Sequence, residues 1–597
     1  MPKDKQRTPQ TQADFIYLDQ NTPMKKIKII TSTLICQYLL TGIAVAEEAI
    51  TLPNMTVTGK EDPARPSASQ LVETLSNIPG GTNLLDLDAE FANKATLNDV
   101  LGNEPGIIMQ EFFGGNDQPR LNIRGSGIQD NPVNRGINLL YDGLSVNQPD
   151  GSFVLGLLPT EQMRYVSVYR GSNAFQYGSA TLGGAINMIS RTGLNSENFL
   201  RLQGGSFGSF NGSLGAGGTY ENWDYYLGAG HSKTDGFRHQ SEGRRTNLSM
   251  NVGYKFNNGV ENRTYFNFTD NYFQIPFVVQ KQIAEDHPRA VIGDGFATNY
   301  PPPSTLPGSA IKHPVYGWNA QGGWDGVFDA NKRNPHRDSE QFRLANTTYF
   351  KSANTDYQFG IYGEILDDTF TDPLSHVSVK SKNIGFSQSI LNTSNFLTQK
   401  DEILLSLSFN AGEMPTEYWV NNPDNGSKLF RFGDLDLDAL NSAVALQYTA
   451  NVADNFQFIA GLQWLHSERE IKGTGSTPPS PDHFDKEIVN IDRDFTYDAF
   501  NPKVGFIFEP VDDVKLFTNV SRSMEAPTFN HLITRKISPL IAPGVTVNPP
   551  SVPSFADAAI GSGITINNLD DQIAWTFEVG VQASWKDLSW EATYYYS

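Results

Sequence analysis

The sequence predicts an all-β transmembrane barrel that follows an N-terminal mixed α+β domain. Three observations carry this reading. From about residue 198 onward, apolar and polar residues alternate with period two, segment after segment. The chain has 597 residues, which is long for one ordinary domain unless that domain is a barrel. It is 39% hydrophobic and 18% charged with 53 Gly, a mix that suits a wall apolar on alternate residues only.

The net charge is −20. An acidic chain without a Lys/Arg cluster lacks the basic footprint that nucleic-acid binding needs. Cys36 is the single cysteine, so no disulfide forms within the chain. The one long apolar run, Ile29 to Ala46, follows Lys25, Lys26 and Lys28 and ends Ala44-Val45-Ala46. That is the plan of a secretory signal, 24–46, cleaved after Ala46. Met24 is expected to be the true start, with 1–23 a spurious extension. No other stretch approaches the roughly 20 apolar residues of a spanning helix, so any membrane crossing falls to strands.

The mature chain divides at 47–70, 71–195 and 196–597. Leu52, Pro53, Asn54, Met55, Thr56, Val57 and Thr58 form a short β-prone segment, followed by a Pro/Ser-rich linker to Gln70. An isolated strand of this kind is an edge open to pairing with another chain. Thr96-Leu97-Asn98-Asp99 opens a short helix, and Pro105 to Gln110 reads as a turn and a strand. Leu121 to Gly127 and Leu139 to Gly143 are strands ending in Arg124-Gly125 and Asp142-Gly143. Tyr165 to Gly193 sets Gly178, Gly183 and Gly184 between two strands, where a Cβ would clash with close backbone. Beyond 198, Leu248, Met250, Val252 and Tyr254 alternate with polar or small residues; so do Phe456 to Trp464 and Trp575 to Trp585. Trp464, Trp575 and Trp585 suit interfacial girdles. Connections such as Glu221-Asn222 and Asp512-Asp513 are short. Those near 273–338, 467–494 and 525–570 are long and are expected to face the medium.

In this order the pieces between 96 and 193 resemble the plug of TonB-dependent outer-membrane receptors, of the ferric siderophore type. The segment 52–58 resembles a TonB box. The resemblance implies a monomeric receptor in the outer membrane of a Gram-negative bacterium, set in lipid by the barrel assembly machinery. It implies uptake of a scarce ligand, most of all a ferric siderophore, with a periplasmic TonB-type energy-transducing protein as partner. The gap between Ala46 and Leu52 has no room for a signalling domain. About 15 strands are legible where the family closes at about 22, and the chain ends on Ser597 instead of a terminal aromatic. Roughly 100–190 further residues are therefore expected.

No H-E-x-x-H, G-x-S-x-G or P-loop occurs, so no enzyme, catalytic residue, cofactor or metal is expected. The resemblance makes Arg124 and Arg170 plug arginines that pair with wall glutamates. Glu578 is inward-facing by parity, and Glu525 is the second candidate. Phe112, Phe113, Asn147, Gln148 and Asp150 lie in expected plug apices. Tyr316, Trp318 and Arg333, with Lys312, His313, His336 and Arg337, bring aromatics and cations to one long loop. That mix suits a bulky anionic ferric chelate. The segment Ser523 to Leu532 lacks the Phe-Arg pair of haem receptors, although it contains His531. Cobalamin, haem, copper or carbohydrate remain open as substrates. A passive porin, a phage receptor and a non-functional fragment remain open as other classes.

Overall fold

The computed structural model describes residues 67–597 apart from 91–93, 112–118, 127–134, 179–181, 278, 280, 292–329, 423–424, 478–487, 512, 538–561 and 586–587. The TonB-box-like segment 52–58, Phe112, Phe113, Tyr316 and Trp318 lie outside the described residues.

The inner domain begins with α1 (Ala68–Ser76), β1 (Thr82–Asp86), α2 (Leu87–Glu90) and α3 (Leu97–Leu101). Ser67 and Gln70 close a capping box on α1, and Thr96 and Asp99 do the same on α3. Each box gives orphan amides of the first turn a side-chain acceptor. Then come β2 (Ile107–Gln110), β3 (Arg120–Ile123), β4 (Ile137–Tyr141), β5 (Leu144–Ser145), β6 (Met163–Arg170) and β7 (Gly184–Ser190). Five of these form one sheet in the order β1-β6-β7-β4-β5, and β2 pairs with β3. Asp142 and Gly143 both have positive φ, 54° and 80°. This is the backbone that an Asp-Gly pair readily supplies between hairpin strands. Leu101, Ile123, Ile137, Leu139, Met163, Val166 and Ile186 are among the buried side chains of a single apolar core.

The wall follows. Its strands are β8 (Phe199–Gly204), β9 (Phe210–Tyr220), β10 (Trp223–Thr234), β11 (Gly243–Lys255), β12 (Glu261–Gln274) and β13 (His336–Ser352). They continue as β14 (Thr355–Thr371), β15 (Ser375–Ser394), β16 (Asp401–Glu413), β17 (Thr416–Asn421), β18 (Lys428–Ala453) and β19 (Phe456–Ser476). The last are β20 (Ile488–Val511), β21 (Val514–Glu525), the separate hairpin β22 (Ile533–Ile537) and β23 (Ser562–Ile566), then β24 (Gln572–Trp585) and β25 (Leu588–Tyr596). Each wall strand pairs antiparallel with its neighbour, and β8 and β25 are the two ends of the sheet. β16 and β17 act as one strand broken at Met414-Pro415, since both lie between β15 and β18. Proline has no N–H to give the ladder.

The polarity of the wall is inverted relative to a soluble sheet. Met250, Val252, Leu344, Ile365, Leu446, Leu462, Val504, Phe577 and Val579 are exposed outward. Asn247, Ser249, Asn251, Arg343, Asn441, Gln463, Asn501 and Asn519 are buried on the inner side. Short turns, such as the two residues between β9 and β10, alternate with the long connections after β12, β19 and β21. Plug and wall lie in one contact unit. The plug bonds to wall strands from Tyr226 of β10 to Glu578 of β24, so the wall wraps it. Lys515, two residues past the β20–β21 turn, donates to Ser76 and Asn77 at 3.1 and 3.2 Å. This places the plug's entry at the short-turn rim.

Candidate functional site

Arg124 sits in the turn after β3 with φ of 55°, and its amide donates to the Gly106 carbonyl at 2.9 Å. The turn sends the guanidinium out of the plug. There it pairs with Glu578 of β24 and lies 4.5 Å from the Tyr595 ring centroid. Glu578 is 0% exposed. Its Oε2 also accepts from Asn173 at 3.0 Å and from Asn519 at 2.5 Å. Lys503 Nζ donates to Asn173 Oδ1 at 3.1 Å. A plug arginine, a plug amide and the wall amide of Asn519 thus converge on one buried carboxylate, and Lys503 braces Asn173 from the wall.

Arg170 departs from the expectation that it shares a wall glutamate. Its Nε donates to the Pro105 carbonyl at 2.8 Å, and among the described residues it makes no ion pair with Glu578. Arg170 ends β6 opposite Gly184, which points its side chain beneath the Pro105-Gly106 turn of its own domain. Burial pulls the guanidinium pKa down, against the upward pull of nearby Glu591. The partner of Glu525 is Arg135, at 2.9 Å, and Arg135 also donates to Gln572 at 2.9 Å. The sequence reading missed Arg135. A signal was present: Arg124, Arg135 and Arg170 each precede a glycine, and Gly125, Gly136 and Gly171 all take positive φ.

The loop after β5 faces the long-loop rim, but its polar groups are largely committed. Asn147 accepts from Leu139 N at 2.8 Å and donates to the carbonyls of Ile137 and Gly151 at 2.9 and 2.8 Å. The expected ligand contact at Asn147 is thus an internal brace. The Asp150 carboxylate accepts from Ser152 N and from Phe529 N, each at 3.0 Å. Its carbonyl accepts from Arg469 at 3.1 Å. Gln148 donates to Glu364 at 3.3 Å. Arg333, another expected ligand contact, is 1% exposed and donates to the Pro373 carbonyl at 2.8 Å.

A second charged cluster, with Lys94 and Arg191 buried and Asp88 partly open to solvent, closes the plug where it meets the wall. Arg191 and Lys94 both pair with Asp88, at 2.8 and 3.0 Å. Burial alone would raise the Asp88 carboxyl, but these cations outweigh it and hold it well below the ordinary carboxylate range. A depressed carboxylate adds stability above its unfolded value, near 4, and that share is lost as pH falls through the depressed one. Acidification below about pH 3 is therefore expected to loosen residues 191–195 before the plug core. Faster amide exchange there than in β6 checks it, and equal protection at both pH values counts against it.

A wall apolar outside and polar inside, with a separate domain bonded into its lumen, is a plugged membrane barrel. A family model described as "TonB dependent receptor-like, beta-barrel" matches residues 93–597. The chain belongs to the TonB-dependent receptors, a family of outer-membrane β-barrels. It is 25% identical over 195 residues to the vitamin B12 transporter BtuB of Vibrio vulnificus (strain CMCP6). That match spans 32% of this chain and 30% of that protein. Among solved structures it is similar to the unliganded ferric citrate transporter FecA, with TM-score 0.61 and 14% identity, over 88% of this chain and 71% of that one. The open form of the ferric-catecholate import receptor Fiu from E. coli K12 gives TM-score 0.59 and 14% identity over 87% and 74%. The copper transporter OprC gives 0.58 and 12% over 86% and 71%. At these identities the likeness shows the fold.

Proposed function

We propose that this chain is a receptor in the outer membrane of a Gram-negative bacterium that takes up a scarce ligand with energy supplied from the periplasm. A ferric siderophore leads the candidates. One observation carries the reading: a single domain touches both rims of the wall. At the short-turn rim α1 is held by Lys515, and at the long-loop rim Asp150 binds the amide of Phe529. Ligand arriving above can therefore alter what the plug presents below, which is coupling between two sites through one body. Relatives of the same fold are described as transporters of ferric citrate, ferric catecholates and copper, which supports uptake and leaves the cargo class to the cavity chemistry. The partner is a TonB-type protein that captures 52–58 by strand addition. The pairs Arg124–Glu578 and Arg135–Glu525 retain the plug between uptake events.

Deleting Leu52 to Thr58 tests this. Uptake into energised cells is expected to fall to the level of cells lacking the receptor, while ligand binding at the surface is unchanged. Uptake that survives the deletion removes energy coupling and favours a passive pore.

A further inference from the structure

The wall rises well above its apolar band, and its chemistry reverses there. Along one cross-strand row, Val444, Trp464 and Phe500 stand side by side. In the next row up they give way to Ser442, His466 and Asp498. From Phe500 to Phe508 the outward side of β20 is apolar, about the length that spans a bilayer. Above it, Asp434, Asp436 and Asp438 of β18 alternate with the buried Leu435, Leu437 and Ala439. Glu468 and Glu470 of β19, and Asp492 and Asp494 of β20, extend this face, where the acids outnumber Lys472, which lies between Asp436 and Asp492, and Arg431, which pairs with Asp434. The inward side chains join Met414, Tyr418 and Phe529 in one apolar cluster directly over the plug.

Between this cluster and the plug apex lies a cavity of about 110 Å³, lined in part by Gln148, Asp150, Arg337, Asp368, Tyr418 and Arg535. Two of its charges are matched to each other. Arg337 holds Asp368 with two bonds at 2.8 and 2.7 Å. Asp150 is spent on Ser152 and Phe529, and Arg535 stacks 5.8 Å from the Tyr418 ring centroid. Gln148 is different. It is 4% exposed, its Nε2 is held by Glu364, and its Oε1 has no hydrogen-bond partner among the described residues. Glu364 accepts only, so the amide cannot be turned round, and the free atom is an acceptor. The long connections add little positive charge. Over 292–329, 478–487 and 538–561 they carry Lys312 and Lys486 against Asp294, Asp325, Asp329, Asp482, Asp485, Glu487 and Asp557.

We propose that the ligand is uncharged and apolar-surfaced, that it seats one apolar arm in this cavity, and that it donates a hydrogen bond from N–H or O–H to Gln148. The proposal rests on the uptake reading above and names its substrate class. Burying an anion beside Asp150 and an unpaired carbonyl, with no uncommitted cation cluster, is costly. An acidic rim on a chain of net charge −20 also slows the approach of anions. The cavity volume is about that of one ring or branched alkyl group, so the rest of the ligand sits above it. The anionic chelate expected from Arg333 and Arg337 loses its basis, because both guanidiniums are taken.

Membranes carrying the full chain are titrated with two radioiron-loaded probes of similar size: an uncharged ferric trihydroxamate and a trianionic ferric tris-catecholate. The trihydroxamate is expected to bind at least about tenfold more tightly. Gln148→Leu is expected to weaken it about five- to tenfold. Equal or tighter catecholate binding overturns the proposal, as does binding of neither probe or an unchanged trihydroxamate affinity on Gln148→Leu. The uptake reading is judged separately by the 52–58 deletion, which reads transport and not binding.

Discussion

Replacing Glu578 by alanine is expected to unseat the plug. The carboxylate is fully buried and accepts from Arg124, Asn173 and Asn519 at once. Without it, among the described residues, the Arg124 guanidinium keeps the face of Tyr595, which is worth about 0.5–2 kcal/mol. Breaking a buried pair from one side costs about 3–5 kcal/mol, because the remaining charge is left without compensation. The readouts are protease sensitivity of the plug in isolated outer membranes and entry of large antibiotics into cells. Glu578→Gln keeps an oxygen for the two amide donors but not the charge, and should fall between wild type and alanine. The double variant Arg124→Ala with Glu578→Ala removes both charges and is expected to cost clearly less than the sum of the singles. Additive costs would show that the two side chains do not act as a pair.

Gly184→Ala is expected to be nearly as damaging, through the backbone and not through charge. Gly184 has φ of 129°, and an added Cβ would lie 2.0 Å from the Tyr169 carbonyl and 2.9 Å from the Gly171 amide. Those atoms cannot yield without opening the β6–β7 pairing, in which Arg170 faces Gly184. The same backbone holds the Gly171 amide to Gly183 at 2.8 Å and the Gly183 amide to Gly136 at 2.7 Å. Strain and clash together are expected to exceed about 3 kcal/mol and to shift Asn173 off Glu578. Gly125→Ala is the control. Its φ is also positive, but nothing lies within 4 Å of the added Cβ, so it should cost only the left-handed strain of about 1–2 kcal/mol. Protection of β6 amides from exchange separates the two variants, and equal losses would mean that the contact at Tyr169 is not felt.

Local chemistry was legible in the sequence. Period-two alternation placed Glu578, Ser249 and Asn251 inward, and Met250, Val252 and Phe577 outward, because successive strand residues must face opposite sides. Thr96 to Asp99 marked the start of α3, and Asp142-Gly143 marked the end of a strand, since each depends on neighbours a few residues away. The glycines around 183 and 184 announced close backbone approach before any partner was known.

The sequence by itself determined the inward and outward sides of its clearly alternating strands, the short turn at Glu221-Asn222 and the family the chain resembles, while β19 and β20 run on to Ser476 and from Ile488 through what reads as one long connection at 467–494. The tertiary structure alone decided who pairs with whom. Arg124 and Arg170 look alike in sequence, yet only the turn at Gly106 and the β6–β7 register send one to Glu578 and the other to Pro105. Arg333 and Arg337 read as free cations until the wall brings Pro373 and Asp368 beside them. Asn147 reads as an open amide until the plug folds its own carbonyls around it. A partner chosen across hundreds of residues depends on how plug and wall are docked, and no local pattern encodes that distance.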